Sequence, residues 1–273
     1  MLIFITFFSA LSSKPNAAHL ALASLYLPSV KNRIISSATS PPLHVTQNLD
    51  ELSIRALDVL SCVDQEGDEA MKEGKENLIQ MHGSLFQTRC LSCKHSKHTR
   101  DAYLAKAFRH ITKSEETTSH NTKDTDGNDI EPFNSVAESA QVNAETFIDI
   151  ATEHLPRCGG DDWSGSNRYG RCGGLLRPDV VWFGEVPPLM GEIARKVTWC
   201  DLLIVIGTSG IVQPAAGFAS QVRDHGGKVA IFNMEGPRAD EGYDFIFVGS
   251  CEKVLPKVLD IESQVQMLLK NQI

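Results

Sequence analysis

The chain has 273 residues, enough for one sizeable α/β domain and a smaller module. Its 42% hydrophobic content is that of a globular protein, and a net charge of −8 argues against general attraction to nucleic acid or an anionic membrane. Seven cysteines, an odd number, fit a reducing, intracellular compartment better than a complete disulfide framework.

In chain order, the apolar start from Met1 to Leu11 is too short to span a bilayer, and no basic residue precedes it as in a signal peptide. A buried first helix, or a start that does not belong to the ancestral chain, is expected there. Pro28, Pro41 and Pro42 interrupt the approach to the first strand, Leu43 to Thr46, because proline removes a ladder donor. The acidic stretch Asp64 to Glu76 reads as a solvated helix or loop. Three more apolar runs follow the same layout as the first, each leading at once into small or polar residues. They are Leu202 to Ile206 before Gly-Thr-Ser, Val229 to Phe232 before Asn-Met-Glu, and Phe245 to Val248 before Gly-Ser-Cys. Continuous apolar runs of this length predict strands buried on both faces. A helix is expected from about Ala215 to His225, closed by Gly226-Gly227. Strand, helix, strand spacing predicts an α/β fold with a doubly wound parallel sheet, whose ligands bind at the carboxyl ends of the strands.

Inside this pattern lie two cysteine pairs. Cys90 and Cys93 form a C-x2-C knuckle, and after 64 residues Cys158 and Cys172 follow as C-x13-C among Gly-rich turns. Four thiolates with no open position suit a closed, structural zinc site, which would hold a small module together and take no part in chemistry. The alternative is two unrelated cysteine pairs. Lys94, His95, Lys97, His98 and Arg100 are expected to form the solvated rim of the knuckle. The polar stretch from Ser114 to Asn134 is expected to be a mobile loop, having too few apolar residues to offset its ordering entropy. Cys62 and Cys200 read as ordinary thiols or small buried hydrophobes.

Three further segments carry chemistry in combination. They are Thr46-Gln47-Asn48-Leu49-Asp50, then His82-Gly83-Ser84 just ahead of the knuckle, then Pro178 to Glu185 with the text PDVVWFGE. Singly each has a plain reading: Asn48 and Asp50 as a cap or turn, His-Gly as a turn, Val180 to Phe183 as a core strand, Gly207-Thr208-Ser209 as a loop. Together, in this order around the cysteines, they resemble the sirtuins, NAD-dependent protein-lysine deacylases, and most closely their mitochondrial sirtuin five subgroup. The resemblance covers roughly Lys14 to Leu259.

It implies a Rossmann-like domain over 14–86 and 175–262, with a zinc-binding module inserted over 87–174. It further implies that His82 is the catalytic base that deprotonates a ribose hydroxyl, a task suited to imidazole. Gln47, Asn48, Leu49 and Asp50 match the contacts to the nicotinamide ribose and carboxamide. Gly207, Thr208 and Ser209 match the loop holding NAD at a strand end. Asn233, Met234 and Glu235 match the region of the adenosine ribose, and Cys251 lies near adenine. Val181, Trp182, Phe183 and Gly184 match the strip that pairs with the substrate backbone, and Cys90, Cys93, Cys158 and Cys172 the ligands of one structural zinc. The implied partners are NAD and acyl-lysine proteins, with no nucleic acid or membrane, and the implied compartment is the mitochondrion, with nucleus or cytosol as alternatives. The family's Gly-Ala-Gly loop and its Ser-Gly-Ile-Pro-Asp-Phe-Arg-like segment do not occur in these residues, so weakened NAD binding is expected. The competing expectation is a non-catalytic zinc-containing module that docks acyl-lysine proteins. A zinc-ribbon nucleic-acid binder is disfavoured by the acidic balance.

Overall fold

The computed structural model describes residues 7, 9–35, 40–100, 152–159, 172–237 and 242–272. The expected mobile loop at 114–134 lies outside them. The chain divides into two compact units, Ala10–Ser84 with Val180–Ile273, and Met1–Ser9 with Leu85–Asp179.

The larger unit is α/β. Helix α1 (Ala17–Ser24) starts at Asn16, whose side chain accepts from the backbone N–H groups of Ala18 and His19 at 3.0 and 3.2 Å. Pro28 opens α2 (Pro28–Ile34) at its first turn, where a missing N–H costs no helical bond, so this proline starts an element instead of breaking one. Strand β1 (His44–Thr46) pairs in parallel with β2 (Leu78–Gln80), placing Val45 opposite Ile79. Between them lie α3 (Leu52–Asp58) and α4 (Asp64–Glu76), the latter a helix that buries Ala70.

A three-stranded sheet in the order β4-β3-β5 is built from β3 (Gly83–Cys90), β4 (Ser96–His98) and β5 (Leu176–Val180), of which Gly83, Ser84 and Val180 belong to the larger unit and the rest to the smaller. In the larger unit α5 (Met190–Thr198) leads to β6 (Leu202–Ile206). The helix expected at Ala215 to His225 begins with a 3-10 turn at Ala215–Gly217 and continues as α6 (Phe218–Asp224). Strands β7 (Lys228–Asn233) and β8 (Phe245–Val248), then helices α7 (Cys251–Val258) and α8 (Glu262–Lys270), complete the order.

Strands β6, β7 and β8 form one parallel sheet with β7 in the middle, Leu202 facing Lys228 and Ala230 facing Phe245. Alternation along the strands divides their side chains between two cores. Ala230 and Phe232, with Ile204 and Ile206, pack on Leu20, Leu57, Leu255 and Leu268. Val229, with Leu203 and Val205, packs on Ile193, Val197 and Val222. Helices therefore cover both faces, as doubly wound spacing predicts. Burial on both faces holds for β7 alone. Phe245, Ile246 and Val248 of β8 are 49, 52 and 57% exposed, because β8 is an edge strand.

Candidate active site and metal centre

The four paired cysteines converge in the smaller unit. Their sulfurs lie within 4.8 Å of one another, with Cys90 to Cys172 at 3.9 Å and Cys93 to Cys158 at 3.7 Å. A tetrahedron of thiolates at ~2.3 Å from zinc has sulfur–sulfur edges of about 3.8 Å, whereas a disulfide needs about 2.05 Å. The set fits one structural zinc, and the reading as unrelated pairs is set aside.

Local backbone produces the convergence. The knuckle turns through Lys94, at φ 60°, with Lys94 N–H donating to the Cys90 carbonyl at 3.2 Å. The second pair is closed by an antiparallel bridge between Arg157 and Leu175, and Cys158 and Gly174 share a 2.9 Å backbone bond. A methyl group at Gly174 would lie 2.5 Å from Ser92 Oγ and 2.8 Å from Cys90 Sγ, so only glycine lets the two cysteine-bearing turns approach this closely. The backbone N–H of His95 holds the Cys93 thiol down at about 7, while burial, reinforced by bonds to Cys93 and Cys90, pushes Cys158 up to about 12. Bringing all four to thiolates is the work of a bound cation.

In the larger unit, three remote segments meet at His82. Its Nδ1 lies 3.1 Å from the Gln47 carbonyl oxygen, and its own carbonyl accepts from Val181 N–H at 2.9 Å. A carbonyl can only accept, so this bond sets the Nδ1–H tautomer and leaves the Nε2 lone pair to take a proton. Asp50 Oδ1 accepts from Leu52 N–H at 2.9 Å, which makes its first role the turn into α3. Asn48 is exposed and Leu49 half-buried. One residue further, Glu51 is buried at φ 57° and accepts from Ser84 Oγ at 2.6 Å.

Beyond Val180 the chain leaves the sheet. Trp182 and Glu185 close a turn through reciprocal bonds, Glu185 N–H to the Trp182 carbonyl at 2.9 Å and Trp182 N–H to the Glu185 carboxylate at 3.0 Å. Gly184 takes φ 88°, Trp182 is 42% exposed and Phe183 fully so. The core-strand reading of Val180 to Phe183 therefore fails after Val180, and large apolar side chains face solvent next to His82's partner.

The carboxyl ends of β6, β7 and β8 form a third cluster. Gly207, at φ 60°, donates to the Phe232 carbonyl at 2.9 Å, which also accepts from Cys251 Sγ at 3.4 Å. Asn233 ties the ends together: its Nδ2 donates to the Thr208 carbonyl at 3.1 Å, its Oδ1 accepts from Met234 N–H at 2.9 Å, and its carbonyl accepts from Gly249 N–H at 2.8 Å. Ser209, Met234 and Glu235 are exposed along this rim, and Cys251 is the first residue of α7. Gly210, at φ 68°, has nothing within 4 Å of an added Cβ, leaving room beside Thr208. Open space, backbone amides and a polar rim at strand ends suit a dinucleotide.

Sequence comparison decides what this arrangement belongs to. The Sir2 family profile matches residues 3–214. The chain belongs to the Sir2 family. It is 34% identical over 251 residues to the NAD-dependent protein deacylase sirtuin-5B, mitochondrial, of Xenopus laevis, covering 91% of this chain and 62% of that protein. It is 33% identical over 250 residues to an NAD-dependent protein deacylase of Daphnia pulex, covering 91% of this chain and 70% of the relative. Among solved structures it is similar to a Sir2 homolog–NAD complex, with TM-score 0.53 and 26% identity over 96% of this chain and 67% of the other. It shares its fold with a Sir2–p53 peptide–NAD+ structure at TM-score 0.56 and 23% identity, over 94% of this chain and 76% of the other. The chain thus spans about three-fifths of the length of the first Xenopus relative, 62%.

Within this Sir2 chain, the sequence motifs fall into three local groups: the four sulfurs, the Gln47–His82–Val181 junction, and the strand-end cluster around Asn233. Sequence reasoning missed the Glu51–Ser84 pair. Ser84 closes one motif that carries the resemblance and Glu51 directly follows another, so a carboxylate after Asp50 with a hydroxyl after His82-Gly83 was the available signal.

Proposed function

We propose that this chain acts as an NAD-dependent protein-lysine deacylase, with His82 as its base, and that the observation carrying this reading is the fixed tautomer at the Gln47–His82–Val181 junction. NAD, when bound, supplies the ribose carbon that receives the acyl oxygen and releases nicotinamide. Gln47, Asn48, Leu49 and Asp50 border the nicotinamide end. Gly207, Thr208 and Ser209 form the loop that holds NAD at the strand end, with Gly207 itself anchored on the Phe232 carbonyl, and Asn233, Met234, Glu235 and Cys251 border the adenosine end. The acyl-lysine peptide lies along Val181, Trp182, Phe183 and Gly184. His82 Nε2 takes the proton of a ribose hydroxyl, its Nδ1–H held by the Gln47 carbonyl as charge develops on the ring. With one water consumed, the products are deacylated lysine, nicotinamide and O-acyl-ADP-ribose.

In this reading, residues 14–86 and 175–262 form the NAD-binding domain, and 87–174 the zinc module, which takes no part in chemistry. The names of the Xenopus relatives favour mitochondria as the compartment. Mass spectrometry of an acyl-lysine peptide incubated with the chain and NAD tests the proposal. Deacylated peptide, nicotinamide and O-acyl-ADP-ribose are expected in equal amounts. Peptide that is retained by the chain but chemically unchanged would overturn it in favour of a docking module, and free carboxylate without nicotinamide would indicate simple hydrolysis.

A further inference from the structure

The buried pair Glu51–Ser84 has no place in the chemistry just described, yet it lies at the same junction. The segment from Gln47 to Glu51 meets the segment from His82 to Ser84 at two points. One is the Gln47 carbonyl on His82 Nδ1 at 3.1 Å, and the other is Glu51 Oε1 on Ser84 Oγ at 2.6 Å. Glu51 and Ser84 are 5 and 4% exposed, so water does not compete for this second bond. Glu51 also adopts φ 57°, a left-handed conformation that a non-glycine residue holds only where surrounding contacts fix it. The strain has a visible consequence. It ends the polar loop, turns the chain into α3 at Leu52, and points the carboxylate back toward β3 instead of into solvent.

We infer that Glu51 and Ser84 are positioning residues that clamp the 47–51 loop to the start of β3, keeping the Gln47 carbonyl on His82 Nδ1 and so holding His82 in its proton-accepting tautomer. The inference rests on the deacylase reading for its catalytic meaning, but the clamp itself is a statement about one imidazole. Gln47 reaches His82 with a backbone atom, so no side-chain substitution at Gln47 can tune that bond. Its geometry depends on where the loop is tied down. A hydrogen bond from a hydroxyl to a carboxylate is short, strong and directional, and it is placed two residues beyond His82.

The test reads the His82 tautomer directly, by two-bond 1H–15N correlation on the full chain labelled with 15N-histidine. Nine histidines are present, and the His82 signal is assigned by its loss in His82→Gln. The unsubstituted chain is expected to carry the proton on Nδ1, Ser84→Ala to shift toward Nε2–H, and Ser84→Thr, which keeps the hydroxyl, to stay with the unsubstituted chain. Where turnover is measured alongside, Ser84→Ala is expected to lower kcat about ten- to a hundredfold, with KM for peptide changed less than about twofold. Should Ser84→Ala fail to fold, Glu51→Gln replaces it, since it keeps shape and an acceptor but weakens the bond, and a mixed tautomer is expected. A folded Ser84→Ala or Glu51→Gln chain with the unsubstituted tautomer would overturn the clamp. Absence of turnover in the unsubstituted chain would count against the deacylase reading alone, because the tautomer is read without it.

Discussion

Two single residues set conditions on this molecule that composition does not announce. At Gly174 the contacts leave no space for a methyl group, with Ser92 Oγ and Cys90 Sγ 2.5 and 2.8 Å from where it would sit. Gly174→Ala is therefore expected to push the second cysteine pair off the first and to lower bound zinc below one per chain, measured by metal analysis after gel filtration. A full complement would contradict the geometry. At His44, burial, followed by the charge of nearby His19, lowers the imidazole from its usual 6.5 to about 4. The folded state then favours neutral His44, and the unfolded state binds the extra proton. Its contribution is complete above about pH 6.5, declines as pH falls through that value, and is gone below about pH 4. The urea midpoint should follow this course, and His44→Gln should flatten it. An unchanged slope would reject the assignment. Neither effect was legible in the sequence. His44 appeared there only as one residue of an apolar run, and Gly174 as one of several glycines near Cys172, because both roles depend on neighbours remote in the chain.

At the scale of elements, β7 is where core and site meet. Its even side chains, Ala230 and Phe232, enter one core, while the Phe232 carbonyl anchors Gly207 and Cys251 at the strand ends. Phe232→Ala should cost about 3–5 kcal/mol by cavity formation, read as a lower denaturant midpoint. Phe245→Ala, on the half-exposed edge strand, should stay within about 0.5 kcal/mol. Equal losses would mean that β8 is covered in solution. All four long apolar runs became strands, since their β-branched and aromatic content leaves little alternative. Which strand lies in the middle was not legible, because an apolar run does not record what pairs with it on either side. The three-residue β2, ending in Gln80, was too short for any periodicity to reveal. It follows α4, whose acidic sequence left helix and loop equally open until Ala70 was seen to be buried.

Across the whole molecule, the larger unit and the metal centre of the smaller unit rest on different sources of stability. The larger has apolar clusters on both faces of a parallel sheet, whereas the cluster in the smaller unit around the metal centre consists of Cys90, Cys158 and Leu176 with Cys172 packed on it. Metal binding there is folding free energy. Removing the metal with a strong chelator should abolish amide-exchange protection in β3 and β4 while β7 stays protected. Uniform loss would show that the larger unit also depends on the metal. The cysteine spacing made the metal centre legible in the sequence, and the family resemblance drew attention to the His-Gly motif. What they left out was the joinery: the Gln47 carbonyl, the Val181 amide, and the Glu51–Ser84 bond.

The central claim is that His82 serves as the base of an NAD-dependent deacylation, and single-turnover acyl release from an acyl-lysine peptide tests it most directly. The 273-residue chain and His82→Ala are compared at equal zinc content. NAD-dependent release by the unsubstituted chain, reduced by about 10²-fold or more in His82→Ala, is the predicted result. Equal release by both, or none by a folded, zinc-loaded chain, would contradict it.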